Sequence, residues 1–235
     1  GSSNTIFGKN AGLSLDAGSN YNVFVGENVS DAAMSDAIMN VGIGFEALSA
    51  LTTGDYNVAV GRIAGTALTD GERNVFIGTS AGNSTTSAQR TVAIGHGATQ
   101  ANMTAAAIGT VAVGYNAGNA ITTGAGNVAI GSGSLAALTT GNKNIAIGSE
   151  ALASSVDGDS NIAIGYQALH NYEGGSGQGN NIVMGFKAGH FISTGQNNTY
   201  IGGDAGKGVT GNPLTSDNNT AIGQNAGVLL QGSGD

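Results

Sequence analysis

The chain has no cysteine, no tryptophan and a single proline, and only 9% of its 235 residues are charged. Without cysteine there are no disulfides and no thiolate metal ligands, so the fold must rest on packing and hydrogen bonds. Seven Lys and Arg stand against fifteen Asp and Glu, for a formal charge of −8. That balance leaves no clustered basic surface of the kind nucleic acid or an anionic membrane needs. Apolar runs are also short: none approaches the ~20 residues of a membrane-spanning helix, and no segment keeps a helical period for long.

What the chain has in excess is glycine, 42 residues of it. In a flexible linker those glycines would be scattered, whereas here they are phased. A phrase close to N-V-A-I-G-x-x-A-G closes on Gly8, Gly26, Gly44, Gly61, Gly78, Gly95, Gly114, Gly131, Gly148, Gly165, Gly185, Gly202 and Gly223, most often 17 residues apart. Val and Ile held in fixed register with glycine argue against disorder. They argue for an array in which each unit is buried mainly by its neighbours. Residues 1–235 therefore read as one repeat region. It enters the repeat directly after Gly1-Ser2-Ser3 and stops soon after a motif, at Gly232-Ser233-Gly234-Asp235, as expected of an excerpt or processed piece of a longer fibre.

Positions are numbered from the closing glycine as 0. Positions −3 and −1 are Val, Ile or Met in most units, and −2 is usually Ala, with Phe24, Phe76 and Tyr200 as exceptions. Alternation along a strand puts −3 and −1 on one face and −2 on the other. Ala recurs at +3, Gly or Leu at +4 and Leu or Ile at +7, before a Thr-Thr-Gly turn or a variant of it. The spacing predicts an all-β, parallel β-solenoid of about thirteen coils, each of two short strands and two turns. Val128, Ile130, Ile145 and Ile147 are expected in an interior column. The −2 alanines are expected on an outer face that partner chains cover, which predicts a homotrimer. Asn occupies −4 in eleven units, and Asn127, Asn144 and Asn161 are expected to form a ladder of amides from coil to coil. The alternative is that Asn merely tolerates the turn angles there.

Little in the chain suggests chemistry. His96, His170 and His190 have no recurring acid or serine partner. Asp157-Gly158-Asp159 lacks the further acids and the glutamate of a calcium loop. The Gly174–Gly179 stretch lacks the lysine and the strand-to-helix transition of a phosphate loop. No catalytic, cofactor or metal site is expected. Position +1 varies between charged, polar and aromatic residues, as a solvent-facing site would. Tyr166 and Phe186, on successive coils and flanking a longer insertion that carries Tyr172, are the candidate receptor contacts, although edge packing under a long loop explains them as well.

The N-V-A-I-G-x-x-A phrase resembles the head repeats of trimeric autotransporter adhesins, which are left-handed parallel β-rolls in homotrimers. The longer phrase Leu138-Thr139-Thr140-Gly141-Asn142-Lys143-Asn144-Ile145-Ala146-Ile147-Gly148 is more similar to glycine-rich repeats of bacteriophage tail fibres, which often precede a self-cleaving C-terminal chaperone domain. The 17-residue period is longer than that of the adhesin heads, and no neck, stalk or anchor follows in the sequence, so the tail-fibre likeness leads. The resemblance implies a non-catalytic extracellular fibre or adhesin module, on a virion or a cell surface, that self-associates as a homotrimer and attaches to a host-surface glycan or receptor. The alternatives are a bacterial adhesin head and, on the Thr-Thr-Gly turns, an ice-binding solenoid. In the stretch equivalent to those turns, Asp70, Ser87 and Asp157 interrupt the row of hydroxyls an ice-binding face needs.

Overall fold

A computed structural model describes residues 3–228; Gly1, Ser2 and residues 229–235, on which the reading of the chain's ends rests, lie outside them. Thirteen three-residue strands follow one another: β1 (Thr5–Phe7), β2 (Val23–Val25), β3 (Val41–Ile43), β4 (Val58–Val60), β5 (Val75–Ile77), β6 (Val92–Ile94), β7 (Val111–Val113), β8 (Val128–Ile130), β9 (Ile145–Ile147), β10 (Ile162–Ile164), β11 (Ile182–Met184), β12 (Thr199–Ile201) and β13 (Thr220–Ile222). They form one parallel sheet in sequence order. The register holds each repeat position above its counterpart, as in Val128↔Ile145, Ala129↔Ala146 and Ile130↔Ile147. The fold is a parallel β-solenoid of thirteen turns.

Two expectations need correction. The first is the strand count, since each coil has one strand rather than two. The segment after the glycine cannot extend, because its backbone turns left-handed twice: Glu46 and Leu48 both have φ 54°, and Glu150 and Leu152 have φ 57° and 50°. These turns still bond to the next coil. Leu48 N–H donates to the Ala64 carbonyl at 3.1 Å and Ala50 N–H to that of Thr66 at 3.0 Å. The repeated segment thus keeps the coil-to-coil bonding of a sheet without strand geometry.

The second correction concerns the faces. Ala129 and Ala146 are fully buried inside the coil, while Ile130 and Ile147 are 38% and 36% exposed. Val128 and Ile145 are half-buried beside them on the same outer face. The four branched side chains therefore line the outside of the sheet, and the alanines that were to meet a partner chain fill the interior. The cause is volume. Ala151, Leu152 and Leu138 already project into the core from the turn segments, so only a methyl fits opposite them. Where −2 is large, +4 has shrunk to compensate. A Cβ added at Gly82 or Gly65 would lie 2.6 Å or 2.8 Å from the Phe76 ring, and one at Gly206 would collide with Tyr200.

The closing glycines stack in a column, and a side chain is excluded there on two grounds. Gly131 has φ +130°, and an added Cβ would stand 2.5 Å from the Gly148 carbonyl oxygen. The insertions follow the same economy of space. Tyr172 takes the +7 core position and is fully buried, so the longer coil after Gly165 makes room for a ring where other coils place Leu. After Gly202 the insertion displaces that role to Leu214, which bridges to Ile192.

Candidate functional site

The amides at −4 form the ladder. Asn144 N–H and Nδ2 both donate to Asn127 Oδ1, at 2.9 Å and 3.2 Å, and Asn161 N–H and Nδ2 donate to Asn144 Oδ1 at 3.0 Å and 3.1 Å. A remaining proton on each Nδ2 reaches across the coil, from Asn127 to the Gly141 carbonyl at 2.8 Å and from Asn144 to that of Gly158 at 2.7 Å. Asn127 and Asn144 thus join neighbouring coils and close their own, while Asn161 makes the coil-to-coil bonds, donating to Asn144 and accepting from Asn181. Thr91 and Thr110 interrupt this column. Thr91 N–H still donates to Asn74 Oδ1 at 3.0 Å, but its buried hydroxyl has no partner.

The hydroxyls at +8 are engaged in the same way. Thr52 donates to the Thr69 carbonyl at 3.0 Å, Thr69 to Thr86 at 3.1 Å and Thr122 to Thr139 at 3.2 Å. Asp157 and Asp159 are likewise tied to neighbouring coils. Asp157 accepts from Thr139 and Thr140, and Asp159 from the backbone of Asn142 and Gly177. Among the described residues no group of His, Asp and Glu is arranged to hold a metal ion.

Among the described residues the outer sheet face is an unusual surface. Position −1 is apolar in all thirteen strands and −3 in ten, with Thr5, Thr199 and Thr220 as the exceptions, and neither column carries a charge. Ile43, Ile77 and Ile130 are each 38% exposed and Met184 37%. With about 4.8 Å between strands, this strip runs ~58 Å along the stack.

Exposed aromatic residues border the strip on both sides. Tyr21 and Tyr56 stand at −5, and Phe45, Tyr115, Tyr166 and Phe186 at +1. Along the +1 edge the rings stack from coil to coil. His96 lies 5.6 Å from Tyr115 and Tyr166 5.5 Å from Phe186, each pair nearly parallel. Lys187 Nζ sits 5.9 Å and 5.5 Å from the centres of Tyr166 and Phe186. Arg62 covers Phe45, and Arg73 covers Tyr56 on the other edge. Nearby, His170 and His190 stack at 5.1 Å, and burial lowers the pKa of His190.

Of the three candidate receptor contacts, Tyr166 and Phe186 are exposed and adjacent, whereas Tyr172 is excluded by its complete burial. Desolvation, reinforced by Asp217 and Asp159, pushes the Tyr172 phenol up to about 12. The sequence reading missed the −5 edge, although Tyr21, Met39 and Tyr56 recur there at the repeat spacing. No family model matches the chain, and no curated protein or solved structure matches it either.

Proposed function

We propose that the chain is a non-catalytic extracellular fibre module, a left-handed solenoid shaft of the tail-fibre type, whose copies associate as a homotrimer through the Val/Ile face of the sheet. The carrying observation is the uninterrupted uncharged strip. The strip itself, −3 to −1, is about 10 Å wide and ~580 Å² in area at ~3.3 Å per residue. The edge columns at −5 and +1, which mix exposed rings with Lys9, Glu27, Arg62, Arg73, Arg90 and Lys143, widen the face to roughly 20 Å and about 1,100 Å². The strip alone is at the upper end of the roughly 300–600 Å² that the largest apolar patch of a typical monomer covers. With its edges the face exceeds the area of about 800 Å² per partner that a stable interface buries. The partner face is therefore opposite to the one the alternation suggested.

Stacked rings beside a cation, as at Tyr166, Phe186 and Lys187, suit a sugar face, but these residues lie on the +1 edge that borders the assembly face, so a glycan there would compete with assembly. The ice-binding alternative is weakened by the +8 hydroxyls, which already donate to carbonyls of the next coil.

The test compares two adjacent charges. Ile147→Glu puts a carboxylate on the outer strip and should leave the β-sheet circular dichroism intact while light scattering falls from about three times 22.9 kDa to that of one chain. Ala146→Glu puts the same charge inside the coil and should prevent folding. A native chain that is a stable monomer refutes the assembly.

A further inference from the structure

We propose that the copies pack side by side, parallel and level, with the +1 edge of one against the −5 edge of the next, so that Arg62 of one copy meets Tyr56 of its neighbour and Tyr115 seats over the neighbour's Gly109. The proposal rests on the self-association above and deepens it: the partner is a second copy of this chain in a defined direction and register.

Rotation about an axis along the stack brings unlike edges together at the same coil. The two edge columns are complementary under that operation. In the third coil Phe45 faces Met39, and in the fourth Arg62 faces Tyr56, a cation set against an exposed ring. In the seventh, Tyr115, 58% exposed, faces Gly109, beside which an added Cβ would meet nothing within 4 Å. An open groove lined by Ile108, Gly126, Lys143 and Asp159 continues along this −5 edge. Farther along, Tyr166 and Phe186 face the small or short side chains Ser160 and Asn180. From the seventh coil onward, knobs therefore lie on the +1 edge at levels where the −5 edge is hollow, while the third and fourth coils pair side chain with side chain.

The antiparallel arrangement brings like edges together with the coil order reversed. It sets Tyr115 against Tyr115 on one side and leaves Gly109 opposite Gly109 on the other. It also places Arg73 against Lys143, two cations, although Glu72 bonds to Arg73 within its own chain. Bulge against bulge, void against void and this charge pair all disfavour it.

A chain without cysteine offers a direct test. Residues 56 and 62 flank one strand on opposite edges, ~20 Å apart when extended. A disulfide between them within one chain is excluded, since bridged Cα atoms lie within about 7 Å. After mild oxidation, Tyr56→Cys/Arg62→Cys should migrate mostly as covalent multimers on non-reducing gels, up to the size of the native assembly. Arg62→Cys/Tyr166→Cys, which only the antiparallel arrangement unites, should stay at one chain length. Cross-linking of the second pair in place of the first overturns the proposal, and so does cross-linking of neither while light scattering still reports an assembly. If the native chain is itself a monomer, the self-association fails first, and this inference with it.

Discussion

Truncating one rung of the amide ladder should cost more than its size suggests. Asn144 is fully buried and makes four side-chain hydrogen bonds: to Asn127, to the Gly158 carbonyl, and two from Asn161. Asn144→Ala removes all four and strands at least the Asn161 N–H and the Gly158 C=O in the interior. Each stranded group costs ~1–3 kcal/mol, so the total is roughly 2–6 kcal/mol, a large part of the ~5–15 kcal/mol that holds an ordinary domain. Asn144→Thr should be milder. A hydroxyl can reach the same carbonyl, as Thr110 reaches that of Gly124 at 3.4 Å. Asn144→Asp should be the worst at neutral pH, because it aims a buried charged oxygen at Asn127 Oδ1 and the Gly158 carbonyl. Urea titration followed by far-ultraviolet circular dichroism gives the ranking. Hydrogen exchange at residues 145 and 162 shows whether the loss stays local, which matters in an array that need not unfold as one unit. An alanine variant within ~0.5 kcal/mol of the native protein, or an aspartate variant more stable than alanine, would refute the reasoning.

The break at Thr91 and Thr110 should be the weakest seam in the stack, so Thr91→Asn with Thr110→Asn should raise the urea midpoint and the exchange protection of Val92 and Val111; no change in either would show that the seam is not limiting. Phe76→Ala should destabilise by ~3–5 kcal/mol. Adding Gly82→Leu should restore part of it, because Leu48 and Leu152 already sit at +4 with positive φ opposite small −2 residues; a double variant weaker than the single would disprove the exchange of volume. At alkaline pH the Tyr172 phenol is held neutral to about 12 against 10.0 in the unfolded chain. Its raised folded pKa means that this contribution is complete below pH 10 and is lost as pH rises towards 12, up to about 3 kcal/mol. Absorbance near 295 nm should show Tyr172 and the similarly desolvated Tyr200 ionising above the ordinary tyrosine range, and a Tyr172 that ionises near 10 would contradict it.

The fold was legible because one constraint recurs thirteen times. A glycine with φ near +130° directly above another glycine's carbonyl admits no other residue, so the period itself discloses the stack. The Asn column was legible for the same reason, because a buried amide that bonds its copies above and below must repeat. What the pattern did not disclose was which face is inside. Alternation establishes that Ile145 and Ile147 share a side and Ala146 does not, and it is silent about which side the remaining twelve residues of the coil fold back onto.

Bulk suggested that the branched residues fill the core, but bulk was the wrong guide in so narrow a coil. The informative signal was the correlation between two positions within one unit. Phe24, Phe76 and Tyr200 at −2 accompany the small Ser30, Gly82 and Gly206 at +4, and Leu stands at +4 only beside Gly42, Ala129, Ala146 or Ala163, although Ala59 and Ala112 are paired with glycine too. Two positions that are never bulky together look at each other across a closed space, and that places −2 indoors and the Val/Ile columns outside. The same reasoning separates Tyr172 from Tyr166. The first stands at +7, where Leu51, Leu68 and Leu138 are buried, and the second at +1, where Lys9, Glu27 and Arg62 are equally at home. In a repeat protein the company a residue keeps down its column decides its role, and an aromatic ring is a candidate contact only where its column is otherwise wet.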